Sequence, residues 1–340
     1  MPATDPDDPS RPVTISYIAQ TAGVSVPTVS KVINGRPGVA ADTRARVEAL
    51  INAYGYRKSS SPSRSNLMEL VFPAVESLWG VEIIRGVQRA ARQHQLGLVL
   101  TEFGPDGSSI RYWIDDTLTR RPACVVNVAQ LTEQERELLR AKDIPFVVFD
   151  PTHELDDDVA FVGATNWAGG RSATRHLIQL GHRRIAMISG PDQVLLFRAR
   201  FDGYRSAMEG AGLPVEPALV ARAEMSQEDG HAAARRLLAR PDRPTAIFAG
   251  NDLVAFGVYQ AAREAGLRIP ADLSVVGFDD LPVTALMDPP LTTVHQPLAE
   301  MAVAATEMAL ALGRGERLAQ VGVELATTLT VRGSTARPPA

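Results

Sequence analysis

Residues able to bond a small molecule stand at the ends of short apolar runs in this chain. Asp150 closes FVVFD, Asn251 and Asp252 follow AIFAG, and Phe278, Asp279 and Asp280 follow SVVG. Arg198 and Arg200 lie together in LFRARFDGY, while Trp79 and Trp167 each open an amphipathic stretch. Carboxylate, amide and guanidinium groups bond pairs of hydroxyls, and an aromatic face covers the C–H face of a sugar ring. Arg, Asn and several Asp without a basic cluster suit a neutral polyhydroxylated molecule better than a phosphate. Each residue also has a plain structural role open to it. Asp252 and Asp280 fit helix N-caps, Trp79 and Trp167 fit ordinary core, and Arg200 fits a structural salt bridge.

A second constellation suits nucleic acid. In TISYIAQTAGVSVPTVSKVING (14–35), Ile15, Ile18 and Ala19 recur at helical spacing. Gly23 can take the positive φ of a tight turn, Ser25 is a good N-cap, and Pro27 is tolerated in a first helical turn. Val29, Val32 and Ile33 form the next apolar stripe. Two short helices joined by a glycine turn make a helix-turn-helix. The second helix of such a unit lies in the major groove with its N-terminal residues at the base edges. Thr28, Ser30, Lys31 and Asn34 are the polar positions between the buried valines. Lys31 can donate to guanine or phosphate, and Val26 and Pro27 can offer apolar contact to a thymine methyl. A third helix, DTRARVEALINAYGY (42–56), is expected to pack Val47, Leu50 and Ile51 on the first two, with Arg44 and Arg46 facing solvent or phosphate.

The elements that must position these residues follow from pattern. MELVF (68–72), LGLVL (96–100), ACVVNV (123–128), FVVF (146–149), RIAMIS (184–189), TAIFA (245–249) and SVVGF (274–278) read as strands. Helical stretches such as 79–94 and 169–181 separate most of them, which predicts parallel α/β architecture. The segment WAGGRSATRHLIQLGHRRIAMISG (167–190) reads as a fresh helix–strand start. Two similar lobes are therefore expected, with a cleft beyond the carboxyl ends of the strands. From Arg11 to Asn66 there are eight Lys/Arg against Asp42 and Glu48, although the whole chain carries a net charge of −4. A small basic module joined to a larger acidic one is the consequence. RKSSSPSRSNL (57–67) is a linker by composition, and the acidic, proline-rich 1–12 reads as a disordered tail.

Several function classes recede. No phosphate-cradling GxxxxGK[ST] or GxGxxG loop occurs. Cys124, the one cysteine, lies inside an apolar strand, so neither a disulfide nor a nucleophile is expected. His153-Glu154-Leu155-Asp156-Asp157-Asp158 lacks the helical spacing of a metal site and reads as a solvated loop. The N-terminus lacks the pattern of a secretory signal, which points to the cytoplasm, or the nucleoid when DNA-bound. No enzymatic activity, cofactor, metal or membrane partner is expected. The competing readings are an extracytoplasmic sugar-binding protein, against which the missing secretory signal and the basic helix-turn-helix argue, and a sugar-modifying enzyme, against which the missing catalytic motifs argue.

From about Val13 to Ser334 the chain resembles the LacI/GalR family of transcriptional regulators. The resemblance is carried by VTISYIAQTAGVSVPTVSKVINGRPGV with TRARVEALINAYGYR, then HLIQLGHRRIAMISG, RARFDGYRSAM, AIFAGNDLVAFGVYQAAREAGLRIPADLSVVGFDD and PPLTTVHQP. It implies an all-α headpiece at 13–56, a hinge at 57–67 and a two-lobed, periplasmic-binding-protein-like core at 68–335. Lobe 1 is expected at about 68–162 and 293–322, and lobe 2 at about 163–292 and 323–335. A homodimer binding a near-palindromic operator and switched by a sugar is implied, with a likeness to regulators of plant-polysaccharide sugars such as xylose-containing oligosaccharides. DNA contact is expected at Thr14, Ser25, Val26, Pro27, Thr28, Ser30, Lys31, Asn34 and Thr43. Ligand contact is expected at Trp79, Asp150, Trp167, Arg198, Arg200, Asn251, Phe278, Asp279 and Gln296. The chain departs from the family at the hinge, where RKSSSPSRSNLMEL has no clear leucine lever to wedge into the minor groove. Leu67 is the nearest candidate. Ala40 also replaces a capping serine before the third helix.

Overall fold

The computed structural model describes residues 14–33, 36–54, 64–73, 78–103, 109–129 and 131–339. The expected tail at 1–12, Asn34 and linker residues 57–63 lie outside these. The chain forms two compact units, Met1–Ser63 and Arg64–Ala340.

In the first unit, α1 (Ile15–Ala22), α2 (Val26–Ile33) and α3 (Ala41–Ala53) enclose Ile18, Ala19, Ala22, Val29, Val32 and Val47. Thr14 caps α1 by accepting from the Tyr17 N–H, and Gly23 ends it at φ 66°. That conformation is cheap for glycine and strained for other residues. Ala40 precedes α3 without a side-chain cap, as its residue type dictates.

The second unit holds two six-stranded sheets. The first half runs β1 (Leu67–Phe72), α4 (Leu78–Gln93), β2 (Gly97–Glu102), α5 (Ser109–Arg120), β3 (Cys124–Asn127), α6 (Glu133–Ala141), β4 (Phe146–Phe149) and β5 (Phe161–Ala164). The second half runs α7 (Asn166–Gln179), β6 (Ile185–Ser189), α8 (Leu195–Gly210), β7 (Val220–Arg222), α9 (Gln227–Leu238), β8 (Ala246–Ala249), α10 (Asp252–Glu264), β9 (Ser274–Asp279) and β10 (Thr292–His295). Then come α11 (Leu298–Gly313), β11 (Gly322–Leu325) and β12 (Thr328–Thr330). The sheet orders are β11-β5-β4-β3-β1-β2 and β12-β10-β9-β8-β6-β7, the same winding twice. Strands such as β3, β4, β8 and β9 are buried throughout, because helices cover both faces. The pairing is parallel except where β12 runs antiparallel to β10.

The sheets correct the expected lobe limits. β5 reaches Ala164 in the first sheet, β10 belongs to the second, and β11 returns to the first. The chain therefore passes between lobes near Thr165, Gln296 and Thr327, rather than near 162, 292 and 322. At two of these passages the Thr165 and Thr327 hydroxyls lie 3.1 Å apart, and the Thr327 N–H donates to Thr165 Oγ1 at 2.9 Å. The linker is also shorter than its composition suggests. The Ser65 N–H donates to the Arg121 carbonyl, and Leu67 begins β1, in register with Gly97.

Candidate functional site

The cleft begins with a close helix crossing. α7 and α8 meet at Gly170 and Gly203, where a Cβ would come within 2.2 Å of the Arg200 carbonyl and the Trp167 carbonyl respectively. Only glycine permits that approach. It carries Arg200 inward to 2% exposure. Its Nε donates to Asn166 Oδ1 at 2.8 Å, and Nη1 donates to the Gly250 carbonyl at 2.7 Å. Nη2 reaches Gln296 Oε1 at 3.3 Å, and Asp279 Oδ1 lies 3.5 Å from Nη1. The guanidinium carbon sits 3.6 Å above the centre of the Phe278 ring. The salt bridge weighed for Arg200 is thus present, within a larger cluster.

Gln296 links the lobes. Its amide nitrogen donates to Asp150 Oδ2 at 2.9 Å, while its carbonyl oxygen accepts from Arg200. Asp150 directly follows β4 at φ 47°, Asp279 ends β9 at φ 112°, and Asp280 follows it at φ 60°. Non-glycine residues held at such angles cost about 1–3 kcal/mol each, and such strain clusters where a side chain must be aimed. Burial pushes the Asp279 carboxyl up to about 7, against the opposing pull of Arg200. Asp150 is raised by burial as well, and Asp252 is raised well above its ordinary value by burial and by the charge of Asp279. Burial lowers Arg200, and these same carboxylates hold it up. An arginine remains charged at any working pH. One cation among three crowded carboxylates holds more negative than positive charge when all are ionised.

The expected caps are differently arranged. Asn251 is the N-cap of α10, its Oδ1 accepting from the Val254 N–H at 2.9 Å. Asp252 instead accepts from the Thr293 hydroxyl and the Leu281 N–H. Asp280 pairs with Arg332 at 2.6 Å and with His295 at 3.1 Å. Phe278 is wholly buried beneath Arg200, so it supports the guanidinium rather than lining open space. Arg198 is exposed on α8 and does not join Arg200, because two residues along a helix turn the side chain about 200° away. Trp79 is half-buried, edge-on to Phe149, in the first-lobe core. Trp167 is 45% exposed, with Arg171 over its ring at 5.7 Å. The acidic loop is tied down in part, Asp156 to Arg136 and Asp158 to Arg140.

Two recesses adjoin Asp150. One of about 600 Å³ is lined by Asp150, Asn166, Trp167, Leu195 and the 153–157 loop, within the size range of small-molecule sites. The other is about 50 Å³, beside Asn127, Phe149 and Asp150. Asn127 was missed by sequence reasoning. It ends β3, on the strand next to the one that Asp150 follows, it is 1% exposed, and neither its Oδ1 nor its Nδ2 finds a partner among the described residues. A polar residue closing an apolar strand was the available signal. Asn166, which holds Arg200, was missed for want of any such pattern.

On the headpiece, Ser25, Val26 and Pro27 are exposed at the N-terminus of α2, and Lys31 is exposed in its last turn. Thr28 is half-buried, its hydroxyl 2.9 Å from that of Ser25, and Ser30 and Thr43 are half-buried too. Thr14 is exposed at the N-terminus of α1. Arg46 is exposed, but Arg44 turns back to donate to the Arg36 carbonyl, bracing the segment before α3 rather than facing phosphate.

Comparison with known proteins joins the two units. Residues 14–59 match the model for bacterial regulatory proteins of the lacI family, and residues 174–335 match a periplasmic binding protein-like domain. The ribose operon repressor of Escherichia coli K12 is 34% identical over 328 residues, covering 94% of this chain and 99% of the repressor. This chain belongs to the LacI family. Among solved LacI-family structures, the CelR–cellobiose complex is 31% identical with a TM-score of 0.74, covering 95% of this chain and 99% of that one. The lac repressor dimer bound to operator and the anti-inducer ONPF is 26% identical with a TM-score of 0.70, over 96% of this chain and 100% of that one. These LacI-family relatives are transcriptional regulators, not enzymes. No helix among the described residues is long and apolar enough to cross a membrane.

Proposed function

We propose that this LacI-family chain is a dimeric repressor whose operator affinity is switched by a neutral sugar or short oligosaccharide held between the two core lobes. The observation that carries the effector class is Arg200. Its charge is already balanced by Asp150 and Asp279, with Asp252 close by, so the cleft offers hydrogen bonds and little net attraction for a phosphate. Asn127, with both amide atoms unpartnered, supplies a donor and an acceptor of the kind a pair of hydroxyls takes. The similarity to a ribose operon repressor and to a CelR–cellobiose complex supports the same class. The exposed face of α2 supports operator contact through Ser25, Val26, Pro27 and Lys31, with two headpieces reading two half-sites.

A thermal-shift series tests the effector class, using ribose, cellobiose, xylobiose and their phosphorylated counterparts. A sugar at 100 times its dissociation constant adds about 2.7 kcal/mol to stability. A shift with a neutral sugar and none with its phosphate is expected; the reverse order would refute the reading. Lys31→Ala is expected to weaken operator binding by about 1–3 kcal/mol and relax preference at one position, measured by titration at fixed salt.

A further inference from the structure

We propose that Arg64 is a positioning residue that couples the cleft to the linker. It clasps the far end of α11, whose near end begins two residues after Gln296 of the cleft. This rests on the regulator reading above and names the route by which the switch acts. Arg64 is the first residue of the core after Ser63. Its Nη1 donates to the carbonyl of Gly313, the last residue of α11, and its Nη2 donates to the Asp143 carbonyl at 2.8 Å, just before β4. One planar guanidinium thus forks across two backbone carbonyls, which a lysine cannot reproduce. Gly313 fits tightly there: a Cβ would lie 2.9 Å from the Ala123 carbonyl and 3.0 Å from Arg64 Nη1.

The opposite end of α11 starts two residues after Gln296, which touches both Arg200 and Asp150. Between these ends lie 16 helical residues, about 24 Å at 1.5 Å per residue, with neither proline nor internal glycine to bend them. The helix is pressed on α4, where a Cβ on Gly86 would meet Ala302 Cβ at 2.7 Å and the Ala299 carbonyl at 2.8 Å. A helix so held shifts as a unit. When Gln296 exchanges partners, the shift arrives at Gly313, and Arg64 passes it to the chain entering at Ser63.

Hydrogen–deuterium exchange on the full chain tests this without sugar or DNA, so its outcome stands apart from that of the functional reading. The readout is the exchange rate of peptides covering 57–67. Gln296→Ala perturbs the cleft end; Asp150→Asn is a gentler second perturbation should the first lower Tm. With Arg64 in place, either is expected to change the rate about threefold or more, the scale of a coupling between linked residues. With Arg64→Lys or Arg64→Gln the same changes are expected to leave the rate nearly unaltered. An undiminished effect in the Arg64 variants, or no effect with Arg64 present, overturns the proposal.

Discussion

Asp279 shows how one side chain ties the site to the stability of the protein. Burial raises its folded-state pKa to about 7 from an ordinary 3.8. The folded chain therefore holds a proton that the unfolded chain releases, and the resulting stability is complete below about pH 4 and lost as pH climbs through 7. Asp150 and Asp252 shift in the same direction, while half-buried His176 and buried His182, both lowered by desolvation, act oppositely as pH falls through their range. The Asp279 contribution is isolated by comparison: Asp279→Asn is expected to flatten the pH dependence of unfolding between pH 5 and 7 by up to about 1 kcal/mol per pH unit. Urea titrations of both proteins across that range check it, and parallel curves would show that the carboxyl is ionised throughout. Asn127 gives the converse case. Its unpartnered amide costs stability where it stands, so Asn127→Ala is expected to leave the chain as stable or up to about 1 kcal/mol more so, while weakening sugar binding at least tenfold. Calorimetry of both properties on one variant decides whether the amide serves the ligand.

At the scale of elements, periodicity and composition made legible most of what lies inside a strand or helix. The seven strands expected from apolar runs all form, and the glycine turn after Ala22 takes the left-handed angle its residue type allows. What escaped was set by partners distant in sequence. β7, β11 and β12 are short or half-exposed, so no apolar run marks them. The passages between lobes depend on which sheet accepts β10 and β11, and that is decided by pairing with β9 and β5. Asp252 turned out to brace Thr293 rather than cap its own helix, because β10 lies alongside. The α7–α8 crossing likewise rests on two glycines that read as unremarkable in sequence. Gly170→Ala drives a methyl into the Arg200 backbone, and about 1–3 kcal/mol of destabilisation is expected, with loss of sugar binding from the displaced guanidinium. Gly210→Ala, whose Cβ meets nothing within 4 Å, is the matched control and should unfold at nearly the wild-type denaturant concentration.

At the scale of the whole molecule, residues 57–63 join the headpiece to the core along the chain. In the family pattern a leucine from the hinge wedges into the minor groove at the operator centre, unstacking a base step. The nearest candidate here, Leu67, is committed to β1 beside Gly97, and Ser65 and Arg64 before it are bonded to the core. Residues 57–63, between headpiece and core, read SSSPS at 59–63 and contain no leucine. Serine and proline both disfavour a helix interior. Operator discrimination should then depend on the distance between half-sites more than on the central step. Two headpieces related by a two-fold axis must each reach the same groove face, and one inserted base pair turns the second half-site by about a tenth of a helical turn. Inserting that base pair is expected to lower affinity more than replacing a flexible central pyrimidine–purine step by a stiff one. Both operators are titrated at one salt concentration, since phosphate contacts make affinity steeply salt-dependent. Should the central step dominate, a side chain from 57–63 is entering the minor groove without a leucine to do it, and Pro62 would be the first residue to substitute.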